Sequence, residues 1–276
     1  MKVLLTGAHG RLGSRVLALL IHRGHSVRAL VRTDSQADAL RSLHVEPVLG
    51  DLRNDVEWAA DDCDATILAA GARHRGELGS VDAAGAAKLA EAAFRYEHSR
   101  LLLCSVLGAD RPERAQGGVR DFLAAKHHAE LRVAAFDMPW TIFRFGRLTE
   151  APGIERIATH MGADRELSIS RDDAALTLVE GLERAHLGRF AIPVVTGDHH
   201  VPDALDAIEP REVPPPPPAH TGREATIGEA QSANPPDAPD MILRDATPLD
   251  ADVEWEGDGP VPPEPVGNED PAPEVP

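Results

Sequence analysis

Three glycines near the start of the chain have the spacing of a phosphate-binding turn. Gly7, Gly10 and Gly13 follow the apolar run 2–6 and precede a helical pattern. In such a turn the first glycine permits the bend, the second lets the backbone approach a pyrophosphate, and the third allows the helix to pack on the strand. The N–H groups at the helix start then bind the phosphates. We therefore predict a dinucleotide site, rather than a purely structural turn, and include in it His9, Arg11 and Leu12.

The end of the second predicted strand indicates which dinucleotide binds. An acidic residue there accepts a hydrogen bond from the ribose 2′-hydroxyl of NAD, whereas an arginine binds the 2′-phosphate of NADP. Arg32 follows the last apolar residue of this strand, and its planar guanidinium suits a phosphate. Asp34 would favour NAD, but its position suits the cap of the next helix. We predict NADP(H) over NAD(H), and we expect Arg28 to be solvated.

Two further stretches follow the third and fourth predicted strands. Asp51 and Leu52 come after the third, where the carboxylate either accepts a hydrogen bond from an adenine amino group or caps the next helix. Ala69, Ala70 and Gly71 end the fourth, where small side chains let a cofactor lie against the backbone. Because ligands of open parallel sheets bind at the carboxyl ends of the strands, we assign all five residues to the same pocket.

The elements that must position these residues alternate between short apolar runs and helical patterns. The predicted strands are 2–6, 26–31, 45–49, 65–69, 101–105, 140–144 and 190–195, and the predicted helices are 10–23, 35–42, 81–97, 122–136 and 172–184. Alternation of this kind requires right-handed crossovers between parallel strands. The sequence thus predicts the α/β class, with a doubly wound parallel sheet of the Rossmann type.

Charge and proline content divide the chain into two parts. Residues 210–276 hold 15 acidic residues against 3 arginines and 17 of the 23 prolines, whereas residues 1–209 have a net charge of −5. The second part has too little apolar surface to offset the entropy cost of ordering. We predict an NAD(P)-binding Rossmann domain over 1–209 and a disordered acidic, proline-rich tail over 210–276. An apolar island at 241–255 leaves open a partner-binding motif within that tail.

Composition excludes several classes of function. A net charge of −17 argues against a nucleic-acid partner, because no basic surplus is present to neutralise phosphates. Two cysteines form neither a disulfide framework nor a zinc set, and the paired histidines do not converge on one ion, so we predict no metal. No apolar run has membrane-spanning length, and no signal peptide is recognised. We therefore expect a cytoplasmic protein with a small-molecule substrate.

Several of these stretches resemble a known family. The resemblance is carried by TGAHGRLG at 6–13, VRALVR at 27–32 and GDL at 50–52. It points to the atypical short-chain dehydrogenase/reductases, and within them to the NAD(P)H-binding, NmrA-like and biliverdin-reductase-B-like group. Segments 140–149 and 169–175 resemble that group's TI-x-R-P-G-x-L-T and ISR-x-D-x-A stretches. The resemblance covers about 1–209, and it implies a fold and a cofactor more narrowly than a reaction.

The resemblance also implies where catalytic residues lie, and there the sequence departs from the family. Ser105 occupies the place of the family serine, and Lys126 that of the lysine in the Tyr-x-x-x-Lys pair, which holds the nicotinamide ribose. The tyrosine position is Phe122, whose ring has no proton to give to a carbonyl. Catalytic and cofactor-binding roles are therefore implied for Ser105 and Lys126, but ordinary alcohol–ketone chemistry is not.

Two functions fit the missing tyrosine. The first, which we favour, is NADPH-dependent reduction of an acceptor that needs no enzyme tyrosine, such as a flavin, a quinone or a conjugated tetrapyrrole. The second, which also occurs among NmrA-like proteins, is a redox sensor that binds NADP(H) without turnover. The contacts to the substrate are expected to come from loops that follow strands at the carboxyl edge of the sheet. These loops are 72–80, 107–120 and 145–169.

Overall fold

A nine-stranded sheet organises the part of the chain that the computed structural model describes, residues 1–71, 76, 78–160 and 167–209. Its strands are β1 (Lys2–Thr6), β2 (Ser26–Val31), β3 (Glu46–Leu49), β4 (Ala65–Leu68), β5 (Arg100–Val106), β6 (Trp140–Phe145), β8 (Arg156–Ala158), β10 (Phe190–Thr196) and β11 (His199–His200). A smaller sheet pairs β7 (Arg147–Thr149) with β9 (Ser168–Ser170). The predicted tail, 210–276, lies outside the described residues, so the boundary between the two predicted parts stays a prediction.

Helices cover both faces of the large sheet. One face carries α1 (Arg11–His22), α2 (Asp34–Arg41), α5 (Arg171–Leu182) and α6 (Val201–Asp206). The other carries α3 (Ala86–Arg95), which continues from a π-helical turn (Leu78–Gly85), and α4 (Gly117–Ala134). Short 3₁₀ turns lie at Glu57–Ala60, Pro112–Arg114 and Ala185–Leu187. Among the described helices, none is long and apolar enough to cross a membrane.

The order of the strands creates a crevice at one edge of the sheet. The parallel strands run β3-β2-β1-β4-β5-β6-β10, so the winding direction reverses between β1 and β4. Thr6, the last residue of β1, is in register with Leu30 of β2 and Leu68 of β4. The predicted doubly wound Rossmann sheet is therefore confirmed, and its crevice opens where β1 and β4 end.

The central strands β1, β4, β5 and β6 are mostly apolar because both of their faces are covered by helices. Val3 and Leu5 pack towards α1, whereas Leu4 packs towards the side covered by α3 and α4, and all three are fully buried. The same alternation holds in β5, where Leu101 and Leu103 face α3 and α4 and Leu102 faces α5. This alternation decides which side chains at the ends of β1 and β5 turn towards α4.

The prediction was incomplete at one end of the sheet. Segment 145–169, predicted as a loop, contains β7, β8 and the first residues of β9. β8 lies antiparallel to β10 and to β11, so the sheet is mixed at this edge. Strands of two or three residues show no usable period in sequence, which is why the pattern missed them.

Two helix starts also differ from the prediction. α4 begins at Gly117, ahead of the predicted start at 122. Its N-cap Gln116 makes no side-chain capping bond, so the sequence has no capping signal at this boundary. The predicted helix 81–97 begins as the π-helical turn at Leu78. Of the predicted loop 72–80, residues 72–75 and 77 lie outside the described residues.

Arg28 is not the solvated side chain that the sequence predicted. Its guanidinium is only 13% exposed and contacts Glu46 at 2.8 Å between Nη2 and Oε1. It also donates to the carbonyl oxygens of Ala59 and Asp61. Arg28 of β2 lies opposite Glu46 of β3, so the Glu46 carboxylate neutralises the guanidinium across the two strands.

Candidate functional site

The glycine turn after β1 leaves no room for side chains at two of its positions. Gly7 has a φ of +75°, and a Cβ atom there would lie 2.8 Å from the Ala70 nitrogen. A Cβ atom at Gly13 would overlap the Gly7 carbonyl, only 2.6 Å from its carbon. The Gly10 N–H donates to the Gly7 oxygen at 2.8 Å, which closes the turn. The chain at this place therefore requires glycine for the steric reasons that the spacing indicated.

Helix α1 begins in a form suited to an anion. Its N-cap is Gly10, which has no side chain to cap the first N–H groups, and its first turn contains no acidic residue. Arg11 and Leu12 open the helix, so their N–H groups carry the positive end of the helix dipole. A pyrophosphate fits this donor set, because Gly10 has no side chain to keep it from the backbone. His9 lies exposed in the same turn.

Arg32 lies exposed directly after β2. Its backbone N–H donates to Gln36 Oε1 at 2.9 Å, and no described carboxylate forms an ion pair with its guanidinium. The helix that follows is capped by Thr33, whose hydroxyl accepts from the Gln36 N–H, so the expectation that Asp34 is the cap is wrong. Asp34 is instead the first residue of α2, where a negative charge favours the helix dipole.

Asp51 and Leu52 follow β3, and their side chains contact different parts of the structure. The Asp51 carboxylate accepts from the backbone and the guanidinium of Arg53, at 2.9 and 2.6 Å. Arg53 is the main reason that the pKa of Asp51 lies below its ordinary value, and the charge of Arg32 contributes. Leu52 packs against the π-helical turn, where a Cβ atom at Gly85 would lie 2.8 Å from its own Cβ. The Asp51 carboxylate therefore binds within its own turn and does not cap the next helix, whose N-cap is Val56, and the adenine contact stays a prediction.

The end of β4 lies against the glycine turn. The Ala70 N–H donates to the buried Thr6 hydroxyl at 3.1 Å, which joins the ends of β4 and β1. A Cβ atom at Gly7 would be 2.9 Å from the Ala69 carbonyl oxygen. Gly71 follows as an exposed residue at the same edge. Thr6 has the anchoring role here, and the sequence reading used it only as the entry to the turn.

Lys126 projects from α4 towards the same edge and is almost fully buried. Its ammonium lies 2.7 Å from Asp82 Oδ1 and 5.9 Å from the centre of the Phe122 ring, one helical turn earlier. Burial acts most strongly and lowers the pKa of Lys126, but Asp82, Cys104 and Glu130 together outweigh it and leave the pKa raised. The lysine is therefore held as a cation between the Asp82 carboxylate and the Phe122 ring.

Ser105 is also buried against α4, but its hydroxyl is already engaged. It donates to Glu130 Oε1 at 2.5 Å, and Glu130 in turn accepts from the Nε and Nη2 groups of Arg144 of β6. Serine, glutamate and arginine are each less than 9% exposed. Since its single proton points to Glu130, Ser105 offers lone pairs rather than a proton to any other group.

Several of the predicted residues meet around one small cavity at the carboxyl edge. Its lining includes Leu52, Ala70 and Lys126, with Thr6, Asp82 and Leu103 beside them. Ser105 is not part of this lining. Sequence reasoning missed Asp82 and Glu130, although a lone acid in an alanine-rich helical stretch was a signal that could have been followed for each.

Comparisons with known proteins agree with this geometry. A family model described as NAD(P)H-binding matches residues 7–185. The chain is 34% identical over 217 residues to the Bacillus subtilis protein named uncharacterized sugar epimerase YhfK, which covers 75% of this chain and 100% of that protein.

Solved structures show the same relationship. A Bacillus halodurans protein assigned to the NAD-dependent epimerase/dehydratases superposes with a TM-score of 0.70 and 26% identity, over 75% of this chain and 100% of that one. The oxidoreductase ylbE from Lactococcus lactis superposes with a TM-score of 0.66 and 25% identity, over 75% and 96%. The match to the family model spans more than half of the chain and includes the glycine turn, β5 and α4. The chain therefore belongs to the NAD(P)H-binding family, among the atypical short-chain dehydrogenase/reductases.

Proposed function

We propose that the chain is an NADPH-dependent reductase whose acceptor is a flavin, a quinone or a similar conjugated molecule. The observation that carries this proposal is the phenyl ring of Phe122, 5.9 Å from the Lys126 ammonium, at the position of the family's proton donor. A bound nicotinamide supplies a hydride, and the protein supplies orientation. A conjugated acceptor delocalises the added charge and takes its proton from water, so it needs no tyrosine.

The roles of the other residues follow from their surroundings. The turn residues Gly7, His9, Gly10, Arg11, Leu12 and Gly13 would bind the pyrophosphate, Arg32 the 2′-phosphate, Asp51 and Leu52 the adenosine side, and Ala69, Ala70 and Gly71 the face of the nicotinamide half. Lys126 would donate to the nicotinamide ribose. Ser105 would act at the reacting end only as an acceptor of hydrogen bonds, because its proton is directed to Glu130. Nothing in this set gives a proton to a ketone.

The names of the relatives point to two reactions. Epimerisation of a sugar through a transient ketone needs a base that takes up the hydroxyl proton, and Phe122 cannot do this. Reduction of a conjugated acceptor makes no such demand. The oxidoreductase name of the Lactococcus lactis relative agrees with the second reaction, and the name of the Bacillus subtilis relative agrees with the first.

Steady-state oxidation of NADPH tests the proposal directly. We expect turnover with at least one of FMN, a benzoquinone and a linear tetrapyrrole, and none with a simple ketone. Lys126→Met should reduce the turnover, because the ribose loses its cationic partner, while each acceptor without protein gives the background rate. Tight NADPH binding without turnover on any acceptor would contradict the reductase and favour the redox sensor.

Arg32 should decide the preference for NADPH. Arg32→Ala removes the guanidinium proposed to bind the 2′-phosphate, so we expect NADPH affinity to fall roughly tenfold to hundredfold, the worth of a hydrogen-bonded charge pair. NADH affinity should change less than about twofold, because NADH has no 2′-phosphate. Fluorescence titration of both nucleotides measures this, with Arg41→Ala on the far end of α2 as the matched control. Equal affinity of the wild type for NADPH and NADH would contradict the assignment.

A further inference from the structure

Asp82 is a buried acid for which the proposed function gives no role. It lies in the π-helical turn (Leu78–Gly85) and is 4% exposed. Its Oδ1 is 2.7 Å from Lys126 Nζ, and the pair borders the end of β4, because a Cβ atom at Gly71 would lie 3.7 Å from Oδ1 and 3.9 Å from Nζ. The acid therefore touches the buried cation that is proposed to bind the nicotinamide ribose.

The burial of Asp82 among apolar neighbours costs free energy, which indicates that the acid has a role. The turn also buries Leu78 and Val81, and an ionised carboxylate among apolar side chains is unfavourable unless it is paired. A π-helical turn is wider than an α-helical one, so it changes which side chains face α4, and such turns occur often at functional sites. Gly85 closes the turn against Leu52, where no Cβ atom would fit. The position of Asp82 is therefore set by its contact with Lys126 and by the packing of its turn against Leu52.

We propose that Asp82 is a positioning residue for the dinucleotide, which fixes the Lys126 ammonium beside Gly71 and keeps it charged. This rests on the proposed role of Lys126 as the partner of the nicotinamide ribose. An ammonium has three donors, and the contact with Asp82 uses one of them. Two donors are then held in a fixed direction for the ribose hydroxyls. A free lysine would instead sample many rotamers, and ordering it would cost binding free energy.

The charges around Lys126 make this role measurable. The groups that act on its ammonium are Asp82 from the π-helical turn, Cys104 from β5 and Glu130 from α4 itself. Glu130 is itself paired with Arg144 of β6. Burial opposes all three by lowering the pKa of the lysine. If Asp82 becomes neutral, its contribution to the raised pKa is lost while burial still acts, so the ammonium loses its proton at a lower pH than in the wild type.

Cofactor titration over a range of pH tests the proposal without any acceptor. For the wild type we expect a dissociation constant for NADPH that is constant between about pH 7 and 9, since the raised pKa keeps Lys126 charged. For Asp82→Asn we expect roughly tenfold weaker binding that weakens further as the pH rises, because a charge-assisted bond is lost with the proton. Asp82→Glu restores a carboxylate, so the pH profile should be flat again with severalfold weaker binding. Asp203→Asn on α6 makes the same charge change at an exposed position and should change nothing.

The outcomes separate this inference from the proposed function. Wild-type affinity and a flat pH profile in Asp82→Asn, together with a loss in Lys126→Met, would overturn the role of Asp82 alone. No loss in Lys126→Met would overturn the role of the lysine in the proposed function as well. If Asp82→Asn does not fold, as thermal melting would reveal, Asp82→Glu carries the test, because wild-type affinity in that variant would overturn the positioning role.

Discussion

Gly13→Ala should abolish tight NADPH binding and destabilise the fold. The added methyl group would overlap the Gly7 carbonyl, 2.6 Å from its carbon, and both atoms belong to backbone that cannot move independently. Helix α1 would have to shift away from β1, which misplaces the N–H groups of the turn. We expect a loss of stability of about 1–3 kcal/mol or more from overpacking, and a fall in affinity of about a hundredfold from the displaced binding groups.

Denaturant unfolding and fluorescence titration measure the two effects in the same preparation. Gly79→Ala is the matched control, because a Cβ atom at Gly79 would meet nothing within 4 Å. It should leave stability and NADPH affinity close to those of the wild type. Wild-type affinity in Gly13→Ala would show that the turn does not bind the dinucleotide, and it would remove the main support for the site.

Arg144→Met should produce the largest loss of stability among the charged residues around the site. Arg144 donates to both oxygens of Glu130, and the two side chains are 8% and 2% exposed. Removing the arginine leaves a buried carboxylate without its cation, which typically costs about 3–5 kcal/mol. We also expect the hydrogen bond from Ser105 to Glu130 to be disturbed, because Arg144 holds the Glu130 carboxylate that accepts it. Equilibrium unfolding in urea checks the magnitude.

Two comparisons separate charge burial from simple loss of packing. Arg95→Met breaks a pair with Glu57 at 2.6 Å on an arginine that is 55% exposed, and it should cost less than about 1 kcal/mol. The double variant Glu130→Met with Arg144→Met removes both buried charges and should be more stable than Arg144→Met alone. A double variant that is no more stable than the single one would argue that the guanidinium matters for packing and not for its charge.

How much of the fold can be predicted depends on how locally each feature is specified. The predicted strands 2–6 and 26–31 agree with β1 and β2 to the residue, because strands buried on both faces are predominantly apolar and short. Helix α4 starts earlier than predicted because no capping side chain marks Gln116. The short strands β7, β8 and β9 were missed since their pairing depends on partners elsewhere in the chain.

The candidate site divides in the same way. The glycine turn could be predicted because its requirements are steric and lie within seven residues, from Gly7 to Gly13. The misassigned Arg28 shows the limit, because its partner Glu46 belongs to the neighbouring strand. An exposed Arg32 and a paired Arg28 look alike in sequence, since both are single arginines at one strand. Only the register of β2 with β3 distinguishes them.

By itself, the sequence determined the α/β class, the glycine turn and the phenylalanine at position 122. Each of these depends on adjacent residues or on the short periodicity of apolar residues in strands and helices. The tertiary structure alone decided that Asp82 holds Lys126 and that Glu130 holds Ser105 and Arg144. The physical reason is that the free energy of a buried charge depends on which partner lies within hydrogen-bonding distance. That distance is set by the packing of α4 on β5 and on the π-helical turn, and no local pattern in the sequence encodes it.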